Sequence, residues 1–385
     1  MNQYPNPDRP YYQAPPAGYV SQYPVFPVLP APDTPEQAEK KNVRKLSAGH
    51  GCAFLLQQAL VTTVLLIVAV AVIVVMALSR GVNFSALSNL LVSANFAVII
   101  YAALALLTIV QDTLPFLFLF KRQGIKLTEL FVNENSRLKP ALEFKNIFTM
   151  SVFTLGINFA GSFFGLGLKH SFSYLNKVFP RLLPFPEEGV NDDIFSTLYK
   201  NSNITAFLLS ILAVAVLAPI LEEVIFRGLI MKPLRAYGDG FAIICSSVLF
   251  GLAHGNYSQT PFAFVMGLFL GFVACQANSI IPTIILHAVN NFYAVTSGFL
   301  ENSGHIPETA RTIIYYIDLA LLGVCLVYAI IRFARKKRWL ILNNEMQISG
   351  ALIPKNKYSL YFSSPVMIIT LCLYGASFAL SLGVV

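Results

Sequence analysis

Glu222 and Glu223 stand side by side in the stretch APILEEVIFRGLI, residues 218–230, and Arg227 follows four positions after Glu223. Charges in such an aliphatic run are costly. On insertion scales each one at a bilayer centre costs about 2.5–3.5 kcal/mol. Pairing lowers that cost, and Glu223 and Arg227, four apart, share one helix face. Glu222 is turned about 100° from Glu223, so the pair does not account for it. A carboxylate left over in this way can take a proton from water. Two further polar sites follow: His254 in LFGLAHG, and His287 in LHAVNNF with Asn291 one turn later. The gaps of 32 and 33 residues let each site occupy its own membrane helix. One histidine can orient the water or pass its proton on. A second histidine and a carboxamide can donate hydrogen bonds to a developing oxyanion. Taken singly these groups have ordinary readings, a histidine as a packing residue and an asparagine as glue between helices. As a set they suffice for amide hydrolysis without a covalent intermediate. A metal-based alternative also stands: Glu222, His254 and His287 would make a His₂Glu zinc site with an open position for water. Neither an HExxH helix nor a serine nucleophile elbow is present.

These groups need helices to hold them. The 385 residues are 56% hydrophobic and 12% charged, with a mean hydropathy of +0.64. Soluble domains carry roughly 25% charged residues. The composition therefore predicts an all-α polytopic membrane protein of about eight or nine transmembrane helices. Candidate spans are 54–78, 90–112, 147–168, 204–226, 240–255, 260–277, 280–298, 312–332 and 365–384. The second continues as an apolar run past Asp112 to Phe120, either as one long kinked helix or as a helix plus an interfacial segment, and Pro115 favours a break there. Nine spans with a cytoplasmic N-terminus make 1–53, 113–146, 227–239, 278–279 and 333–364 the inner segments. With Arg332 at the inner edge, 21 of the 27 Lys and Arg then fall inside, as the positive-inside rule requires.

That clustering explains the net charge of +8 without nucleic acid. RFARKKR, 332–338, reads as a snorkelling anchor against the lipid bilayer. Residues 1–46, rich in Pro and Tyr, are expected to form a disordered cytoplasmic tail. No cleavable signal peptide is expected, since the first apolar run starts near residue 52. The acidic loop LPFPEEGVNDD reads as solvated, and the sequon at Asn203 sits at the membrane edge. The five cysteines lie in or beside apolar runs with no CxxC, and read as packing residues.

APILEEVIFRG, FGLAH and HAVNN together resemble the three motifs of the CPBP family, the type II CAAX prenyl proteases and bacteriocin-processing or immunity (Abi) proteins. Glu222, Glu223 and Arg227 match EExxxR, Phe250 and His254 match FxxxH, and His287 and Asn291 match HxxxN. The resemblance covers about residues 204–298. It implies an intramembrane endopeptidase with a CAAX-protease-like helical core at 204–298, to which the apolar spans add N-terminal helices and an outer loop at 47–203 and C-terminal helices at 299–385. It further implies that Glu222 activates water with the help of His254, that His287 and Asn291 stabilise the oxyanion, and that Glu223, Arg227 and Phe250 support the site or bind substrate. Metal-free chemistry is favoured over zinc. The expected partner is a membrane-associated protein or peptide, and the expected location is the bacterial plasma membrane. A non-catalytic scaffold or immunity protein is the alternative, with a proton-coupled transporter behind it.

Overall fold

The computed structural model describes residues 34–78, 94–131, 136–178, 204–256, 259–302, 307–334 and 356–381. Among these residues there is no strand. The helices are α1 (Pro35–Leu78), α2 (Ala94–Gln123), α3 (Leu127–Phe131), α4 (Leu138–Leu142), α5 (Phe144–Val178), α6 (Ile204–Tyr237), α7 (Asp239–Ala253), α8 (Thr260–Ala277), α9 (Ile281–Asn302), α10 (Glu308–Ala334), α11 (Lys357–Phe362) and α12 (Pro365–Ser381). Helices occupy the described parts of all nine expected spans. Two of them, α6 and α8, are long and apolar enough over the described residues to cross a membrane by length and composition. The acidic loop, Asn203 and residues 335–338 of the basic run lie outside the described residues. All five cysteines are free, and Cys245, Cys275 and Cys325 are buried.

Two local expectations differ from the structure. Residues 35–46, assigned to the tail, are the first turns of α1. Pro35 and Glu36 suit a helix start, the one through its fixed φ and the other through the helix dipole. Val43, Ser47 and His50 along this stretch are fully buried. The neighbouring Lys40, Lys41, Arg44 and Lys45 hide that stripe when the sequence is read as composition. Secondly, α2 runs unbroken through Pro115. Proline removes one ladder hydrogen bond. A break would leave several backbone groups unpaired in an apolar setting, which costs more.

Helix α6 is not uniform. Its turns are α over Ile204–Ser210, π over Ile211–Leu217, α over Ala218–Glu223 and π again over Val224–Met231. Widened π turns interrupt the regular ladder, and they recur at functional sites. Donors from neighbouring helices reach the carbonyls of both π segments. Asn291 Nδ2 donates to Val214 O at 2.9 Å, Ser246 Oγ to Phe226 O at 2.7 Å and Gln123 Nε2 to Leu229 O at 2.8 Å. Such side-chain donors hold the irregular turns where water cannot reach the backbone.

The main core gathers around the second half of α6 and α7. Phe226, Leu229, Leu234, Phe241, Leu249 and Phe250 are buried there, closed by Phe54 of α1, Leu119 of α2 and Met367 of α12. Helices α7 and α8 meet at Gly267. A Cβ at Gly267 would lie 3.0 Å from the Cβ of Ser247 and 3.1 Å from its Cα, so only a residue without a side chain allows this approach. Gly267→Val is expected to destabilise the protein by about 1–3 kcal/mol through overpacking, read as a lower Tm of the detergent-solubilised protein.

The expected inner segments meet at one end of the bundle. Tyr237 OH donates to Glu39 Oε2 at 2.9 Å, and Lys357 Nζ to Tyr237 O at 2.6 Å. Arg122 Nη2 reaches Lys45 O at 3.3 Å, and Arg235 Nη1 donates to Asn278 Oδ1 at 2.8 Å. Lys232 donates to the Glu129 carbonyl. The segments that the charge bias assigns to one side thus touch one another.

Candidate active site

Glu223 is fully buried and Arg227 is 1% exposed, with Arg227 Nη1 2.9 Å from Glu223 Oε1. The guanidinium also lies over the Phe250 ring, 4.5 Å from its centroid, and its Nη2 is 3.4 Å from Gly267 O. Two buried charges persist in an apolar core only when paired and further solvated by fixed dipoles. Here the second π segment of α6 carries Arg227 toward α7 and α8, and the Phe250 face and the Gly267 carbonyl receive it.

His287, on α9, reads both glutamates. Its Nδ1 lies 3.0 Å from Glu223 Oε1, and its Nε2 lies 3.7 Å from Glu222 Oε2. The first contact is a hydrogen bond, in which Nδ1–H donates to the carboxylate. The second is too long to be one. Glu222 Oε2 is buried and has no hydrogen-bond partner, although the Glu222 side chain as a whole is 23% exposed. A carboxylate oxygen and an imidazole nitrogen therefore lie close together, and a single small polar group beside them can touch both. Such orphaned buried acceptors are rare and mark places where structure or chemistry asks for a partner.

His254 caps the C-terminus of α7 and lies 4.9 Å, ring to ring, from Phe250 in an edge-on arrangement. Its Nδ1 is 2.8 Å from Phe250 O. A carbonyl only accepts, so Nδ1 carries the proton and Nε2 keeps its lone pair. His287 meets the same Phe250 ring edge-on, at 5.7 Å. Phe250 is 1% exposed and touches Arg227, His254 and His287 together.

The structure thus joins Glu223, Arg227 and His287 by direct polar contacts, sets Glu222 3.7 Å from His287, and connects His254 to them through Phe250. The contact of Glu222 is with His287, whereas the resemblance implied His254 as its helper. Glu222 and Glu223 differ in exposure, as their rotation around the helix predicts, yet both reach one imidazole. Asn291 sits one turn past His287 and spends one amide hydrogen on Val214 O, leaving the other.

Of the three residues of the zinc alternative, Glu222 and His287 approach to 3.7 Å, and His254 is linked to them through Phe250. Among the described residues no group of three or more His, Cys, Asp or Glu side chains gathers as a metal-binding set.

Two residues escaped the sequence reading. Asn290 is buried, donates to Asn291 Oδ1 at 3.1 Å, and keeps a buried Oδ1 without a partner. Asp112 of α2 is 3% exposed, accepts from Gln57 Nε2 at 2.7 Å, and lies close enough to Glu222 for their charges to interact. The signal for Asp112 was present, an acid inside a long apolar run. Its spacing from Glu222 in the chain carried no hint of proximity.

Residues 204–293 match the family model of the Rce1-like type II CAAX prenyl endopeptidases. The match spans α6 to the first half of α9, which hold all seven residues named above from the three motifs. It is consistent with a CPBP-type protease domain in an integral membrane protein. No curated protein and no solved structure matches the chain.

Proposed function

We propose that this chain is an intramembrane endopeptidase that cleaves a membrane-associated protein or peptide with a water activated by Glu222. The observation that carries this reading is the pairing of Glu222 Oε2, buried and without a hydrogen bond, with His287 Nε2 at 3.7 Å. Glu222 takes the proton of the attacking water. Glu223, anchored by Arg227, holds the His287 ring through Nδ1, so that Nε2 is presented beside Glu222. The spare amide hydrogen of Asn291 donates to the substrate carbonyl and stabilises the oxyanion, and His287 joins it as a second donor when Nε2 carries the proton passed on by Glu222. His254 accepts a hydrogen bond from the water at Nε2 and so orients it, and the one proton taken by Glu222 is returned to the leaving amine as the C–N bond breaks. Phe250 keeps both imidazoles and the guanidinium in place. The chemistry proceeds without metal.

In this reading the shared end of α1, α2 and α6 faces the cytoplasm, which the charge bias supports, and the proposed location is a bacterial plasma membrane. Substrates then enter near that face.

The test is reconstitution of the purified chain in liposomes with a prenylated CAAX peptide, its unprenylated form and a membrane-inserted peptide. His254→Ala is expected to lower turnover about 10²–10⁴-fold with Tm unchanged. Cleavage that survives a chelator supports the metal-free route, and cleavage lost with the chelator and restored by zinc refutes it. A membrane scaffold or immunity protein would cleave none of the peptides.

A further inference from the structure

Away from the motifs, α1, α2 and the end of α6 enclose a cavity of about 310 Å³. That is the low end of the roughly 300–1,000 Å³ typical of small-ligand sites. Asn42, Lys45, His50, Arg122, Gln123 and Tyr237 supply its polar wall, and no Asp or Glu lines it. Lys45 and Arg122 are exposed at its edge, and neither has an acidic partner among the described residues. The nearby carboxylate of Glu39 is engaged by Tyr237 OH at 2.9 Å.

The position of Arg122 is built. A Cβ at Gly49 would lie 2.7 Å from Arg122 Nε, so the absent side chain lets the guanidinium lie along α1. There its Nη2 donates to Lys45 O at 3.3 Å, which gathers both cations on one side of the cavity. Deeper in, His50 is fully buried and its Nδ1 is 2.7 Å from Tyr361 OH. Gln123 donates through Nε2 to Leu229 O, while its Oε1 is buried without a partner. The wall therefore offers cationic donors and, in Gln123 Oε1, an acceptor without a partner that a hydroxyl can satisfy.

From these observations we infer that the cavity binds the phosphodiester headgroup of an anionic phospholipid bearing a free hydroxyl, of the phosphatidylglycerol type. Lys45 and Arg122 take the phosphate oxygens by charge-assisted hydrogen bonds. A headgroup hydroxyl donates to Gln123 Oε1. Basic pockets between membrane helices hold acidic headgroups in this manner. The lipid source, rather than free phosphate, follows from the path of the chain. Lys45, Gly49, Cys52 and Leu56 fall on one face of α1 by their spacing. Leu56 is 37% exposed, and Leu114 and Leu117 of α2 are 42% and 41% exposed. The basic edge thus continues into apolar helix surface that acyl chains can cover. This site does not rest on the peptidase reading.

Full-length protein in detergent would be titrated with phosphatidylglycerol, phosphatidylcholine and inorganic phosphate, followed by native mass spectrometry and by Tm. Phosphatidylglycerol is expected to stay bound and raise Tm, with the other two weaker by about tenfold or more. Arg122→Gln and Gly49→Ala are each expected to weaken phosphatidylglycerol about tenfold, the scale of one charge-assisted contact. Gly49→Ala changes no charge, so its effect reports the position of Arg122. Lys139→Gln, an exposed basic residue on α4, is expected to change nothing. Equal binding by Arg122→Gln and wild type would overturn the site, as would an equal loss in Lys139→Gln. Inorganic phosphate binding as tightly as phosphatidylglycerol would overturn the assignment to lipid. Both variants unfolding without lipid would overturn the claim that Arg122 is there to bind rather than to hold the fold.

Discussion

Replacing Glu222 by Gln is expected to remove cleavage by about 10²–10⁴-fold, the contribution of a general base, and to leave the fold and membrane insertion intact. The structural side of this expectation follows from exposure and contacts. Glu222 is 23% exposed and makes no hydrogen bond through its Oε2. Its polar neighbour His287 lies at 3.7 Å, beyond direct bonding. A neutral amide of the same shape therefore loses little that stabilises the folded chain. It does lose the basic oxygen that accepts a proton from water. Comparing the proteomes of membranes carrying wild type and Glu222→Gln would identify substrates, since uncut proteins accumulate only with the variant. A Tm equal to wild type together with full turnover would remove Glu222 from the mechanism.

The second large effect is expected at Arg227. Arg227→Ala leaves Glu223 buried at 0% exposure with its cation gone. Breaking a buried pair from one side costs about 3–5 kcal/mol, and the loss of the guanidinium from the Phe250 face adds to it. Tm should fall sharply and the protein should aggregate more readily on extraction. The double variant Glu223→Leu with Arg227→Met separates stability from chemistry. Apolar residues of similar size in place of a buried ion pair are often neutral or stabilising, so this protein should fold. It should still fail to cleave, because Nδ1 of His287 has lost the carboxylate that sets its ring. A stable and fully active double variant would reduce Glu223 and Arg227 to packing.

These two sites show how differently neighbouring residues can be read. Glu223 and Arg227 were legible as a pair from a spacing of four and the cost of lone charges in an apolar helix. Glu222 was legible as a residue left over. His254, His287 and Asn291 were legible with Glu222 as a set, the resemblance assigned them roles, and the family match over 204–293 covers the same motifs. What the sequence carried less well was partnership. The resemblance named His254 as the helper of Glu222, and the contacts add His287 at 3.7 Å, with both ring nitrogens turned to carboxylates.

The sequence by itself determined the helical character, the apolar segments, the charge bias toward one end and the buried pair, because these depend on periodicity and transfer cost along one helix. Only the tertiary structure decided the rest. The π turns of α6 depend on donors from α2, α7 and α9 that lie far away in the chain. The start of α1 at Pro35 depends on neighbours that bury Val43, Ser47 and His50. Asp112 comes near Glu222 only because α2 packs along α6. Local rules govern what a segment can be, while the identity of the atom across a gap is set by how segments pack, and spacing in a chain does not encode that distance.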